Sequence, residues 1–165
     1  MDFFEAVKNR KSVREYSDKE VKKELIEKIV DAGRLAATAR NEQPWEFVVT
    51  FDKEILKKIC LMCPNGPFIK NASHLISVFS KDTKYYIEDS SAATENMLLA
   101  VEALGLGGCW VAGDKKDYAE AVRKIFNAPD GYKLVSMITV GYPKKEERPR
   151  QKKSLKDVLR WEKYA

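Results

Sequence analysis

Apolar positions along the chain recur at two different periods, and the switches between them mark the elements. Phe3 or Phe4 with Val7 gives a short helical stripe over residues 3–9, with Asp2 placed as N-cap and Glu5 as its reciprocal partner. Leu25, Ile26, Ile29, Val30, Gly33 and Ala36 recur at helical spacing. The pattern Ser17-Asp18-Lys19-Glu20 is expected to open that helix, which should run to about Ala37. Runs rich in β-branched and aromatic residues read as strands at 47–51 (FVVTF), 74–80 (HLISVFS), 107–113 (GGCWVAG) and 134–140 (LVSMITV). Asp52 is placed to cap a short helix through Ile55, Leu56 and Ile59, and Pro64-Asn65-Gly66-Pro67 is a turn. A long helix starts near Tyr86 and stops at Leu104 before Gly105. Its part 92–104 is apolar on nearly every side, the pattern of a helix buried all round, and in a chain this small that suggests a partner subunit. Asp114 is placed to cap a helix carrying Tyr118, Ala119, Val122, Ile125 and Phe126, and a terminal helix is expected over 155–161. Four strands and five or six helices without strict alternation make an α+β domain.

Length and composition narrow the class. The 165 residues fit a single domain with a real core, and 44% hydrophobic with 33% charged residues is ordinary for a folded chain. The net charge is +5, and six basic residues between Lys144 and Lys153 supply most of it against Glu146 and Glu147. The most apolar run, 97–113, holds Glu102 and four glycines and is shorter than the roughly 20 residues a membrane span needs. The start reads as a charged amphipathic helix rather than a signal sequence, and three cysteines suit a reducing compartment, so a cytoplasmic location is expected. Aromatics are not interleaved with the basic residues and no known nucleic-acid module appears, which argues against a nucleic-acid partner.

Side-chain chemistry is sparse. Cys60 and Cys63 have CxxC spacing, but a zinc site would need two more ligands, and only Cys109 and His74 remain, both inside strand patterns. His74 is the single histidine, so a histidine-based triad has little to draw on. No carboxylate pair, P-loop or GxGxxG fingerprint stands out. What remains is a basic, hydroxyl-bearing stretch, Arg10-Lys11-Ser12-Val13-Arg14-Glu15-Tyr16, a second basic cluster near Arg150 and Lys152, an amide-rich loop at 36–45, and glycine-flanked backbone at 107–113. Guanidinium groups and a serine hydroxyl can hold a dianionic phosphate. A chain with no evident acid, base or nucleophile, but with two cationic clusters, suits an anionic cofactor that carries the chemistry itself.

Four stretches, in order, resemble the FMN-dependent nitroreductase family. Residues 10–16 match its R-R-S-x-R-x-[FY] opening. Residues 36–45 resemble its A-P-S-x-x-N-x-Q-P-W loop, with Ala37 and Thr38 in place of proline and serine. Ala103 to Trp110 is similar to A-L-G-L-G-[ST]-C-W. Val140-Gly141-Tyr142-Pro143, followed by Arg150, Lys152, Ser154 and Leu155, resembles its G-Y-P…[KR]-x-[KR]-x-P-L tail. The resemblance implies a nitroreductase-like α+β fold: a central mixed, mostly antiparallel sheet flanked by helices, in an intertwined homodimer whose C-terminal arm, about 144–165, wraps the partner. It implies FMN as cofactor. Arg10, Lys11 and Ser12, with Arg150 and Lys152, would surround its phosphate and ribityl chain, and Arg14 its pyrimidine edge. Ala37, Thr38, Ala39 and Asn41 would reach it from the other subunit. Trp110, Val111, Ala112 and Gly113 would present backbone near flavin N5, Gly113 allowing close approach, and Asn65 would bond the pyrimidine. The implied activity passes reducing equivalents from NAD(P)H to a small acceptor such as a nitroaromatic or quinone; the alternative is a flavin-handling protein without that turnover. Larger family members carry a helical excursion over the substrate face, whereas here residues 80–84 lead almost directly into the long helix, so a lightly covered pocket is expected, with Tyr85 and Tyr86 as candidate stacking residues.

Overall fold

A computed structural model describes residues 1–164. The first helix, α1 (Phe3–Asn9), starts where Asp2 predicts: the Glu5 N–H donates to Asp2 Oδ1 at 3.0 Å and the Asp2 N–H to Glu5 Oε2 at 3.2 Å. The chain then runs extended past Ser12 and Tyr16. The cap predicted at residues 17–20 does not form, and α2 (Lys23–Arg34) opens at Lys22 without a side-chain bond. The Ser17 N–H instead donates to the Tyr142 carbonyl and the Val21 N–H to Ser73 Oγ, with Val21 only 1% exposed. A cap contributes about 1 kcal/mol, while fully burying a valine contributes about 1.5–3 kcal/mol, so the extended path wins.

The remaining elements are β1 (Trp45–Thr50), α3 (Lys53–Met62), β2 (His74–Lys81), α4 (Tyr86–Ala103), β3 (Gly107–Ala112), α5 (Ala119–Ile125), β4 (Tyr132–Gly141) and α6 (Leu155–Val158). Asp52 caps α3 as expected, its Oδ1 accepting from the N–H groups of Glu54 and Ile55. Asp114 does not cap α5, which begins only at Ala119; its Oδ1 instead accepts a hydrogen bond from the Tyr86 hydroxyl at 3.0 Å. The terminal helix spans four residues rather than seven, because it is exposed throughout and has nothing to pack on.

The four strands form one sheet in the order β1-β2-β4-β3, and every ladder is antiparallel. Parallel pairing enters through an isolated bridge between Ser12 and Gly108. The central strands are covered on both faces, which explains their nearly continuous burial, Ser77, Ser136 and Thr139 included. Leu75, Phe79 and Met137 pack with Leu56, Ile59 and Val122 on one side. Ile76, Val78 and Ile138 pack with Ile26, Ile29 and Met97 on the other. Helix α4 packs on α1, α2 and the sheet of its own chain, which bury Ala93, Met97, Leu98 and Val101, while Ala92, Leu99 and Ala100 stay half-buried. Further open apolar surface lies on Phe3, Phe4 and Val7 of α1, on Leu35 and Phe51, and on Leu155, Val158, Trp161 and Tyr164 of the C-terminal arm. Among the described residues no helix is long and apolar enough to cross a membrane.

Candidate active site

Strand β3 is an edge strand, and the basic stretch lies along it. The Val13 N–H donates to the Gly108 carbonyl at 2.9 Å. The approach is close: a Cβ on Gly107 would lie 2.8 Å from Val13 Cβ. This pairing aims Arg10, Ser12 and Arg14 over the edge.

Two adjoining cavities result. One, of about 240 Å³, is lined by Arg10, Lys11, Ser12 and Arg14 together with Glu147, Arg148, Arg150 and Lys152. The fold thus joins the two basic clusters from opposite ends of the chain. The other, of about 520 Å³, runs between the loop after α3 and strand β3. Its walls include Asn65 and Phe68 on one side, Trp110, Val111 and Ala112 on the other, with Tyr118 at the end. Arg14 lines both, its guanidinium 5.6 Å from the centre of the Phe68 ring. The pair of cavities therefore offers a cationic end for an anion and a larger, partly aromatic end for a ring, with one arginine shared between them.

Several expected residues sit differently. The Lys11 ammonium is committed to Glu102 of α4, at 2.9 and 3.2 Å from its two oxygens. The Arg10 Nε lies 3.2 Å from Glu95, about two turns earlier on the same face of that helix, which leaves the rest of that guanidinium to the cavity. The Gly113 N–H is not free to meet a ligand, because it donates to the Val135 carbonyl at 3.1 Å. Its missing side chain serves β4: a Cβ there would lie 2.7 Å from Leu134 Cγ and 2.9 Å from the Leu134 carbonyl oxygen. The Ala112 carbonyl accepts from the Tyr118 hydroxyl. Ala37, Thr38, Ala39 and Asn41 lie in a loop that lines neither cavity of their own chain. Tyr85 and Tyr86 also lie outside both linings; the Lys133 ammonium sits 4.6 Å over the Tyr86 ring.

The ring-sized cavity is chemically quiet. Burial pushes the Cys63 thiol up to about 11, and raises the Cys109 thiol as well. Burial and the neighbouring Cys63 push the Tyr118 phenol up to about 12. All three are neutral near pH 7, so no thiolate or phenolate nucleophile lines the cavity. Cys63, Tyr118, Glu95 and Glu102 went unrecognised in the sequence. Glu95 and Glu102 are seven residues apart, which puts them on one face of α4, but nothing local ties them to positions 10 and 11.

The family model for the nitroreductase family matches residues 7–73 and 62–142. This chain belongs to the nitroreductase family. It is 39% identical over 149 residues to a Methanothermobacter thermautotrophicus protein provisionally named NADH dehydrogenase/NAD(P)H nitroreductase, covering 87% of this chain and 78% of that one. A crystal structure of a protein with the same provisional name from Parabacteroides distasonis superposes with a TM-score of 0.94 at 34% identity, over 98% of both chains. An FMN-dependent nitroreductase from Clostridium difficile R20291 superposes with a TM-score of 0.90 at 29% identity, over 96% of this chain and 98% of that one. The nitroreductase fold in this chain is thus an α+β layering on a four-stranded antiparallel sheet, with the paired cavities on its β3 edge.

Proposed function

We propose that this nitroreductase-family chain is an FMN-dependent oxidoreductase that takes reducing equivalents from NAD(P)H and passes them to a small acceptor such as a nitroaromatic or quinone. The observation that carries the reading is the joining of Arg10, Ser12, Arg148, Arg150 and Lys152 in one cavity, with Arg14 shared between it and a second cavity of about 520 Å³. The residues fit the cofactor's chemistry. The five cation and hydroxyl groups suit a phosphate dianion. In this reading Arg14 would stabilise negative charge on the pyrimidine edge, and Asn65 would hydrogen-bond it. When bound, FMN supplies the two-electron chemistry. The chain's own groups bind and orient it, and the neutral Cys63, Cys109 and Tyr118 add no competing nucleophile.

Donor and acceptor each need to stack within about 3–3.5 Å of the reacting position on a flavin held in the ring-sized cavity, so they would take turns at its open face. The reading therefore includes ping-pong kinetics and loose selectivity among flat acceptors. It also includes a homodimer in the cytoplasm. The exposed Phe3 and Phe4, and the exposed Leu155, Val158, Trp161 and Tyr164 of the arm, are the surfaces a second copy would cover. Residues 37–41, which reach neither cavity of their own chain, would then meet the cofactor of the partner. Titration of the flavin-free chain with FMN, followed by flavin fluorescence with sedimentation in parallel, tests this. One FMN per subunit on a dimer is expected; a chain that stays monomeric and leaves FMN fluorescence unchanged contradicts it.

A further inference from the structure

The backbone at residues 38–43 departs from the rest of the chain. Arg40, Asn41 and Gln43 have φ of 55°, 58° and 47°, in the left-handed region that side-chain-bearing residues rarely adopt. Three such residues within four positions, none a glycine, persist only where anchors over-determine the turn. Several anchors are internal: the Gln43 N–H donates to Thr38 Oγ1 at 3.4 Å, Gln43 Nε2 to Asn41 Oδ1 at 3.0 Å, the Asn41 N–H to the Thr38 carbonyl at 3.3 Å and the Glu42 N–H to the Ala39 carbonyl at 3.1 Å. A further anchor reaches out of the loop, where the Ala39 N–H donates to Asp89 Oδ1 at 3.0 Å. Asp89, in the first turn of α4, is only 5% exposed, and its Oδ2 has no hydrogen-bond partner among the described residues. A buried carboxylate needs a reason, since desolvating it is costly. The reason the geometry supplies is the loop.

We propose that Asp89 is the positioning residue of this strained loop, holding Thr38, Ala39 and Asn41 in the shape in which they close over the flavin of a second copy. The second half of that statement rests on the proposed function. Asp89 touches neither cavity and acts only through the Ala39 N–H. Its second oxygen leaves an acceptor for the seated loop.

Trypsin reads the loop directly, because Arg40 is exposed and its following peptide bond lies within the strained turn. Cleavage between Arg40 and Asn41 is followed by mass spectrometry on the full chain for wild type, Asp89→Asn and Asp89→Ala, each flavin-free and saturated with FMN. The asparagine variant keeps an acceptor oxygen and should be cut within about twofold of the wild-type rate. The alanine variant should be cut about tenfold faster or more, the response expected when local opening loses its anchor. FMN should slow the cut about tenfold or more in wild type and Asp89→Asn, and much less in Asp89→Ala. Wild-type cutting of Asp89→Ala overturns the anchoring. Should that variant not fold, Ala39→Pro removes the N–H from the other side and asks the same question. FMN that binds, by quenching of its fluorescence, yet leaves the wild-type cut unchanged overturns the closing role while the cofactor reading stands. A chain that binds no FMN overturns both the proposed function and the closing role, and the flavin-free rates still decide the anchoring.

Discussion

Arg10 and Arg150 reach one cavity from opposite ends of the chain, so each should matter to a phosphate and neither to a ring. Arg10→Ala or Arg150→Ala is expected to weaken FMN binding by roughly 1.5–3 kcal/mol, the range for a lost charge-assisted hydrogen bond. Riboflavin, which lacks the phosphate, should bind both variants as it binds wild type, and parallel fluorescence titrations check the contrast. Lys11 is different, because its ammonium belongs to Glu102, whose side chain is 9% exposed. Lys11→Met should therefore lower the urea midpoint by stranding a buried carboxylate, while changing FMN and riboflavin affinity alike. A third residue sets a pH dependence. The buried Cys63 thiol keeps its proton to about pH 11 in the folded state, against an ordinary value of 9.0. Between those values the folded state binds more protons than the unfolded one, so stability falls as pH rises from 9 to 11. Cys63→Ala should flatten that decline in urea melts at pH 8 and pH 10. The cations were legible because phosphate chemistry dictates their type. Their carboxylate partners were not, since a pairing between positions 11 and 102 leaves no local trace.

At the scale of elements, local signals held where nothing competed with them. Asp2 and Asp52 cap their helices as the sequence indicates, and Gly105 ends α4 with φ of 71°. Ser17–Glu20 offers an equally good cap, yet the burial of Val21 keeps that segment extended. Asp114 is taken by the Tyr86 hydroxyl from across the molecule. Gly113 has a packing purpose the sequence did not show: its bare Cα makes room for β4. Gly113→Ala should accordingly destabilise the fold by about 1–3 kcal/mol, the usual cost of overpacking. Denaturant titration of the flavin-free chain checks this without reference to any cofactor. The C-terminal arm carries both Arg150 and the exposed Trp161 and Tyr164. Removing residues 150–165 should abolish FMN binding and dimer formation together, by fluorescence titration and sedimentation. Loss of one with the other intact would separate the two roles assigned to the arm.

The whole molecule places a cationic cavity, one shared arginine and a ring-sized cavity along a single sheet edge, and it places residues 37–41 elsewhere. The first arrangement was legible, because four motifs in order mark the nitroreductase family. The expectation of a second chain rests on α4, where Ala92, Leu99 and Ala100 stay half-buried in the single chain, and on the open apolar surface of α1 and the arm. Because donor and acceptor would take turns at the same open face of the bound flavin, initial rates with NADH or NADPH against a quinone should give parallel double-reciprocal lines. The most direct measurement is anaerobic mixing of the FMN-loaded chain with NADH and, separately, NADPH, with the visible flavin absorbance followed by stopped-flow. The proposed oxidoreductase predicts rapid bleaching by at least one of the two, and recovery of the absorbance on adding a quinone or nitroaromatic. Bound flavin that neither nucleotide reduces, while another reductant does, would contradict it.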